Sequence, residues 1–319
     1  NSPDLLEMID EIGADAVRFG ILIASPAGND LLWDKASNEQ GRNFINKLWN
    51  ALKLIQIWKE RAKQNLTAEE VSLASDWPHQ WFEARLRAAS SEIDALMAQY
   101  KLSEALKTLY SLIWDDFCSW YLELVKPGFE KPMDQAHLDR VLNNFEMLLE
   151  RLHPFMPFVT EEIYQKIPHM EESIVITSWP EAISEFENNK AIREFEMIQE
   201  LIKSVRNIRA EYNVAPSKEI DVLIKTSNNE ITKLLNNNLD ILNKFVNPLS
   251  LTISEEIEID TEVISVALSD LEIYLPLGSL VDINQEIERL ENEITKLKGE
   301  IARGEGMLSN PNFINKAPE

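Results

Sequence analysis

The stretch GRNFINKLWNALKLI, residues 41–55, sets the fold class of the first part of the chain. Its apolar side chains recur every three or four positions, at Phe44, Ile45, Leu48, Leu52 and Ile55. At 3.6 residues per turn these positions share one side of a helix, and polar side chains occupy the other. The pattern predicts an amphipathic helix from about Ser37 to about Lys63, with Trp49 on the apolar side that faces the core.

The same periodicity predicts three further helices, over about 76–99, 102–125 and 133–152. The two prolines of HPFMPF, residues 153–158, interrupt helical structure, because proline lacks an amide hydrogen and clashes with the preceding turn. Thr160 is expected to cap a short helix after this segment. Together these patterns predict an antiparallel helical bundle.

Beyond Trp179-Pro180 the pattern changes. A helix is predicted over about 192–212 and another over about 229–245, and alternating apolar residues predict strands at 220–224, 249–253, 263–268 and 271–275. From Leu280 apolar residues follow a heptad repeat, which is typical of a coiled-coil helix. The predicted fold class is therefore mainly α: a helical bundle, then a small α+β module, then a C-terminal coiled-coil helix.

Composition excludes several classes of function. The chain has 319 residues, with 54 acidic and 31 basic residues and a net charge of −23. This balance argues against a general nucleic-acid coat or binding to an anionic membrane, although it leaves room for a local basic face. No apolar run reaches the length of a membrane helix, and Cys118 is the single cysteine, so we expect a cytoplasmic protein without internal disulfides.

The sequence offers no self-contained active site. The four histidines are scattered without zinc-ligand spacing, and no glycine-rich phosphate loop or nucleophile elbow is present. The neighbouring acids Asp115-Asp116 and Glu161-Glu162 are expected by chance in so acidic a chain. We therefore predict no catalytic residue, no metal ligand and no cofactor site within these residues.

The polar side of the helix near Ser37 is the strongest candidate for a binding surface. Six basic residues outnumber two acidic ones between Ser37 and Lys63. Arginine and lysine bind phosphates, and asparagine forms hydrogen bonds with base edges, so this side of the helix can bind RNA. The competing interpretation is an ordinary solvent-exposed face opposite the apolar side that packs in the core. The candidate residues are Arg42, Asn43, Asn46, Lys47, Asn50 and Lys53, with Arg206 and Arg209 as weaker candidates on a later helix.

Motifs along the whole chain resemble class I aminoacyl-tRNA synthetases, and the valyl enzymes in particular. They are NSPD (1–4), GADAVRF (13–19), ASPAGND (24–30) with Asp34, GRNFINKLWN (41–50), DFCSWY (116–121), the segment 152–160, VRNIRAE (205–211), and LSN (308–310) with Phe313 and APE (317–319). The resemblance runs from the first residue to the last. An isoleucyl relative is expected to carry a cysteine-rich zinc module, and a single cysteine argues against it.

The resemblance implies a stem-contact tail (1–36), an anticodon-binding bundle (37–180), a small α+β module (181–279) and the first half of a tRNA-binding coiled-coil arm (280–319). It implies tRNA(Val) as partner, and for the full enzyme valine, ATP and magnesium, with hydrolysis of mischarged threonine. The catalytic and editing parts are expected upstream of Asn1, so the chain is expected to be a fragment of a monomeric enzyme.

Two alternatives remain open at this stage. One is the same region of an isoleucyl- or leucyl-tRNA synthetase. The other is an acidic helical scaffold whose coiled coil docks a protein partner. A scaffold has no need of Arg42, Asn46 and Lys47 together on an acid-poor face, so that face discriminates between the alternatives.

Overall fold

The computed structural model describes residues 4–25, 35–67, 76–128, 130–180, 189–280 and 283–308. The chain forms two compact units, residues 1–195 and residues 196–319. The first unit is helical, and its helices are α1 (Leu5–Ile12), α2 (Ala14–Ile23), α3 (Lys35–Glu60), α4 (Trp77–Ala98), α5 (Leu102–Ser111), a π-helix (Leu112–Tyr121), α6 (Leu122–Val125), α7 (Gln135–Leu152), α8 (Pro157–Tyr164), a 3₁₀ turn (Ile174–Ile176) and the start of α9 (Asn189–Glu211).

Close packing of α3 against α2 organises the first unit. The two helices meet at Gly41, where an added Cβ would lie 2.7 Å from the carbonyl oxygen of Ala16 and 3.0 Å from its Cα. A residue without a side chain therefore permits the helix backbones to approach. The apolar side of α3 predicted from the sequence is buried, and Phe44, Leu48, Leu52 and Ile55 are each at most 1% exposed.

The predicted helix over 102–125 forms, but its middle is a π-helix of ten residues rather than an α-helix. The amide of Leu122 donates to the carbonyl of Phe117, five residues earlier, as a π-helix requires. Aromatic side chains of this segment enter the core, where Phe117 stacks on Phe145 of α7 with ring centroids 5.4 Å apart. The apolar periodicity predicted the position of this helix, but it did not show that the amides bond to carbonyls five residues earlier instead of four.

The prediction that Thr160 caps the helix after HPFMPF is wrong. Helix α8 already begins at Pro157, so Thr160 lies inside it, and its hydroxyl donates to the carbonyl of Met156 at 2.8 Å. The cap comes from α2: the Asp15 carboxylate accepts from the amides of Phe158, at 3.4 Å, and Val159, at 2.6 Å. A side chain far away in sequence thus satisfies the amides that a helix start leaves unpaired.

The second unit contains the rest of α9 and a four-stranded mixed sheet. Its elements are β1 (Ile220–Lys225), α10 (Asn229–Asn237), α11 (Leu239–Val246), β2 (Pro248–Ser254), β3 (Val263–Ala267), β4 (Glu272–Pro276), α12 (Leu277–Leu280) and α13 (Ile283–Leu308). The strand order is β2-β1-β4-β3, with β1 parallel to β2 and the other pairs antiparallel. Alternate β1 residues Ile220, Val222 and Ile224 are fully buried, as the period-2 pattern predicted.

The prediction of a mainly helical chain with a small α+β module is confirmed. One helix differs: the segment predicted over 229–245 breaks at Asn238, whose side-chain Nδ2 donates to the carbonyl of Leu234 at 2.8 Å. The heptad segment is helical as α13, and Ile294, Leu297 and Ile301 are 49–61% exposed. The motifs at 308–319 fall almost wholly outside the described residues.

We predict that Gly41→Ala lowers the free energy of unfolding of the first unit by about 1–2 kcal/mol. Overpacking costs about 1–3 kcal/mol, and this site falls in the upper half of that range because the new Cβ meets helix backbone that cannot rotate away. The better helix propensity of alanine offsets about 1 kcal/mol of this cost. Urea denaturation of the 319-residue chain measures the change. The control is Gly299→Ala in α13, where nothing lies within 4 Å of the added Cβ and a gain of up to about 1 kcal/mol is expected. A neutral or stabilising Gly41→Ala would contradict the close approach.

Candidate nucleic-acid interface

The polar side of α3 lies at the surface because its apolar side is fixed against α2 and the bundle core. Five of the predicted residues are exposed, and at 3.6 residues per turn they fall within an arc of about 100°. This set, called the α3 face below, is Arg42, Asn43, Asn46, Asn50 and Lys53. It offers three amide side chains that donate and accept hydrogen bonds, between two cations that suit phosphates.

Lys47, the sixth predicted residue of this helix, borders the α3 face rather than belonging to it. The side chain is half-buried, and its Nζ lies 5.2 Å from the ring centroid of Trp114 on the π-helix. Trp114 is itself half-buried, and stacks on Tyr110 with centroids 5.5 Å apart. A lysine ammonium over an indole ring is a cation–π contact, so Lys47 marks one edge of the face with a cation–aromatic pair.

The opposite edge carries a second pair of the same kind. Trp49 is half-buried, and the Nζ of Lys166 lies 5.9 Å from its ring centroid. Lys166 also forms an ion pair with Glu162 at 2.8 Å. The prediction that Trp49 is a core residue is wrong, because the residue is half-buried at the place where α3 meets the end of α8. Nothing in the local sequence indicated Trp114 or Lys166 as neighbours of this surface.

Acidic residues limit the α3 face at its N-terminal end. A cleft of about 430 Å³ lies between α1 and α3, and its lining residues are Asp4, Glu7, Met8, Glu11, Ile12, Lys35, Asn38, Glu39 and Arg42. Four carboxylates against two cations make this end net negative. Arg42 therefore borders an acidic cleft on one side and the exposed amides of α3 on the other, and the most favourable region for an anion begins at Arg42 and runs towards Lys53.

The π-helix that carries Trp114 is anchored at its other end by buried hydrogen bonds. The Tyr121 hydroxyl accepts from the Asn144 amide at 3.1 Å and shares a hydrogen bond with Nδ1 of His79 at 2.7 Å. His79 Nε2 shares a second hydrogen bond with Nδ1 of His137 at 2.6 Å. His79 is fully buried, and burial together with the nearby charges of Arg140 and His137 lowers its pKa to about 3. His79 is thus neutral at neutral pH.

The two weaker candidates on α9 have different environments. Arg206 is exposed, whereas Arg209 is 5% exposed and donates to the carbonyls of Ala215, Lys218, Val246 and Asn247 at 2.7–3.1 Å. All of these bonds lie within the second unit. The interpretation of Arg209 as an RNA contact is therefore wrong, since its guanidinium already joins three backbone segments and does not reach the surface.

The residues that could carry chemistry have structural roles. Asp116 pairs with Arg85 at 2.9 Å, and Glu161 accepts from Ser173 and from the amide of Ile174. Burial raises the pKa of the Cys118 thiol to about 12, which keeps the thiol protonated and unreactive. Within the described ranges no group of three or more His, Cys, Asp or Glu is placed to hold a metal ion. The same ranges contain no helix with the length and apolar character that crossing a membrane requires.

Comparisons with known proteins identify two segments. Residues 79–224 match a family model described as the anticodon-binding domain of tRNA ligase, and residues 282–319 match the valyl tRNA synthetase tRNA binding arm. Helix α3 precedes the first match, but packs on α7, α8 and the π-helix inside it.

Valine–tRNA ligases of two bacteria align with the whole chain. The enzymes of Oceanobacillus iheyensis and Enterococcus faecalis are each 38% identical, over 327 and 324 residues. The chain spans 36% of the length of each. A solved structure of a LeuRS–tRNA–LeuAMS complex from Agrobacterium radiobacter K84 aligns with a TM-score of 0.42 and 14% identity. The alignment covers 60% of this chain and 21% of the chain in that structure.

We predict that His79 makes the first unit less stable as pH falls. Its folded pKa of about 3 lies below the ordinary 6.5, so between these values the unfolded chain binds the extra proton. The contribution of His79 to the free energy of unfolding therefore has its full value above pH 6.5. Below that pH it decreases by up to about 1.4 kcal/mol per pH unit, down to about pH 3.

Denaturation midpoints of wild type and His79→Gln, measured across this range, test the assignment. The variant is expected to lose about 1–3 kcal/mol at neutral pH, because Tyr121 and His137 lose hydrogen-bond partners, and to show a flatter pH dependence. His169→Gln, at an exposed histidine, serves as the control and should keep the wild-type slope. Equal slopes in wild type and His79→Gln would refute the assignment.

Proposed function

Because the chain corresponds over its whole length to the C-terminal part of the valyl-tRNA synthetases and belongs to that family, we propose that it recognises tRNA(Val) for a valine–tRNA ligase. The domain limits predicted from the sequence, with the anticodon-binding bundle at 37–180, are part of this proposal. The whole enzyme would join valine to tRNA(Val) with ATP and magnesium, and remove mischarged threonine. We also propose a cytoplasmic, monomeric enzyme. The isoleucyl, leucyl and scaffold alternatives find less support, since both the arm match and the aligned relatives are valyl.

The observation that carries the proposal for this chain is the composition of the α3 face. Three exposed asparagines lie between Arg42 and Lys53 on a helix whose other side is anchored in the core. Sequence-specific proteins read RNA mainly at unpaired loops, where base edges accept and donate hydrogen bonds and rings stack on aromatic side chains. An anticodon loop presents such bases. The amides of the α3 face supply the polar contacts, and the half-buried ring of Trp49 at one edge supplies a stacking surface.

The charge distribution supports binding at a restricted surface. With a net charge of −23 the chain as a whole repels RNA, so nonspecific attachment over the general surface is disfavoured. Phosphate attraction must then come from the few places where cations outnumber acids. Residues 42–53 contain three basic residues and no acidic residue. Such a protein depends on correct docking, since a wrongly placed RNA meets an acidic surface.

We predict that Arg42→Ala weakens binding of an anticodon hairpin of tRNA(Val) to the 319-residue chain by about 1–3 kcal/mol if its guanidinium contacts a base. A lysine is suited to contact a phosphate, which carries no sequence information. Lys53→Ala should therefore weaken the binding of all hairpins equally, whatever their anticodon. Fluorescence anisotropy with the valine hairpin and a hairpin of altered anticodon measures both effects. Lys107→Ala, an exposed lysine on α5, is the matched control. The proposal fails if Arg42, Asn46 and Lys53 variants all bind both hairpins as wild type does.

We further predict that the 319-residue chain alone does not activate valine. The sequence lacks the HIGH and KMSKS motifs that the resemblance assigns to ATP binding, and its neighbouring carboxylates and its thiol are engaged or buried. Valine-dependent exchange of pyrophosphate into ATP, measured with purified chain, should stay at background. A mock preparation from cells that do not express the chain, purified in parallel, provides the control for contaminating enzyme. Exchange above background in repeated preparations would overturn this expectation.

A further inference from the structure

The turn that joins α4 to α5 carries the most exposed aromatic ring of the described residues. The side chain of Tyr100 is 84% exposed, compared with 66% for Phe158 and 39% for Trp179. Within the described residues, no hydrogen bond, ion pair or ring contact reaches the Tyr100 side chain. The next residue, Lys101, is also exposed. Tyr100 and Lys101 are called the α4–α5 tip below.

Tyr100 has a backbone conformation that a bulky side chain disfavours. Its φ is 60°, in the left-handed region. The amide of Tyr100 donates to the carbonyl of Met97 at 3.0 Å, and that of Lys101 donates to the carbonyl of Leu96 at 2.9 Å. These two bonds define a helix that ends at a left-handed residue, where glycine is favoured because it has no Cβ to clash. Tyrosine is strained here, and its exposed ring makes no contact that offsets the strain.

Two other helices of the chain end with a residue that suits this conformation better. Asn213, with a φ of 54°, follows α9, and Asn247, with a φ of 52°, ends α11. The short polar side chain of asparagine tolerates the left-handed region, whereas a bulky residue there is an outlier. Strained residues are concentrated at ligand-binding and active sites, where the strain serves a function. The presence of tyrosine at position 100 therefore points to a function of its ring.

The α4–α5 tip is held by the helices beneath it. The Ser103 hydroxyl donates to the carbonyl of Ile23, at the end of α2, at 2.7 Å, and both residues are buried. Ile93 of α4 and Leu106 of α5 are fully buried at the base of the turn. The turn is thus fixed on three helices, and a ring on a rigid support loses little conformational entropy when it stacks on a ligand.

The charges around the ring favour a nucleic acid as its partner. Residues 95–103 contain one charged residue, Lys101, and residues 21–25 at the end of α2 contain none. The nearest acid in the sequence, Glu104, is half-buried. In a chain with a net charge of −23, the tip thus combines a flat ring with a cation in an acid-poor stretch. Next to the ring in the sequence, the exposed large apolar residues are limited to Leu102, which is too few for the apolar core of a protein interface.

We infer that the ring of Tyr100 stacks on an unpaired base of tRNA and that Lys101 contacts a neighbouring phosphate. The identity of this ligand rests on the proposed function, and the contact is additional to the α3 face. Every base has a face that can stack on an aromatic ring, so the contact accepts any sequence. It positions the tRNA and leaves the reading of the anticodon to other residues.

Tyr100→Gly in the 319-residue chain separates loss of the ring from loss of the fold. Glycine is the residue that the left-handed position favours, so the midpoint of thermal unfolding should be at least that of wild type. Tyr100→Phe keeps the ring and should bind tRNA as wild type does. Met170→Gly is the matched control, because it removes another side chain of the same unit that is almost fully exposed.

Affinity for whole tRNA(Val) and for a tRNA of another anticodon is measured over a series of KCl concentrations. Tyr100→Gly is expected to weaken both tRNAs by the same factor, at least about fivefold. The slope of log K against log salt should stay unchanged, because stacking releases no counterions. Lys101→Ala should weaken both tRNAs and reduce this slope by about 0.7–0.9, as the loss of one phosphate contact requires. Arg42→Ala in parallel reports on the α3 face.

The outcomes distinguish this inference from the proposed function. If Arg42→Ala weakens binding while Tyr100→Gly keeps the wild-type affinity, the inference is overturned and the proposed function stands. An equal loss in Tyr100→Phe and Tyr100→Gly would also overturn it, because the ring would then not be the contact. If the wild-type chain binds neither tRNA, the proposed function and the inference fail together. A loss in Tyr100→Gly at unchanged slope, with wild-type binding by Tyr100→Phe and Met170→Gly, supports the inference.

Discussion

The close approach of α2 and α3 at Gly41 is the constraint on which the first unit depends. With no side chain at this position, the backbone of α3 rests on Ala16, and Phe19 and Phe44 come together with ring centroids 5.5 Å apart. Phe44 also contacts Tyr110 at 4.9 Å, which links the pair to the start of the π-helix. The rotation of α3 about its axis is thereby fixed. Which of its residues face solvent follows from that rotation, so the composition of the α3 face is a consequence of helix packing.

The exposed part of this face could be predicted from the sequence because helical geometry alone determines it. Once Phe44 and Leu48 are assigned to the core, Arg42, Asn46 and Asn50 must lie on the other side. The edges could not be predicted in the same way. Whether a residue at the border of an amphipathic helix is buried depends on what packs beside it, and the neighbours Trp114 and Lys166 lie 67 and 117 positions from their partners Lys47 and Trp49.

The same reasoning explains the elements that the sequence misassigned. Local patterns predict that a helix exists, because hydrophobic periodicity reflects burial on one side. They do not encode a hydrogen bond that arrives from elsewhere in the chain. Asp15 caps α8 although it lies 143 residues before Phe158. Tyr121 is the last residue of the π-helix, and its hydroxyl is hydrogen-bonded to His79 and Asn144. Both are buried polar contacts, whose partners must be supplied by the tertiary structure.

The arginines of α9 show how far a charged residue's role depends on its surroundings. Arg206 and Arg209 are three positions apart, have the same chemistry and both contact the end of α11. One turn of helix nevertheless buries Arg209 among backbone carbonyls and leaves Arg206 at the surface. Burial of a guanidinium is costly unless hydrogen bonds offset its desolvation, and both terminal nitrogens of Arg209 donate to backbone carbonyls. Arg206 remains at the surface, and its Nε donates to the carbonyl of Phe245 at 3.3 Å. The burial of an arginine on a helix is therefore decided by the segments that pack beside it, which the local sequence does not show.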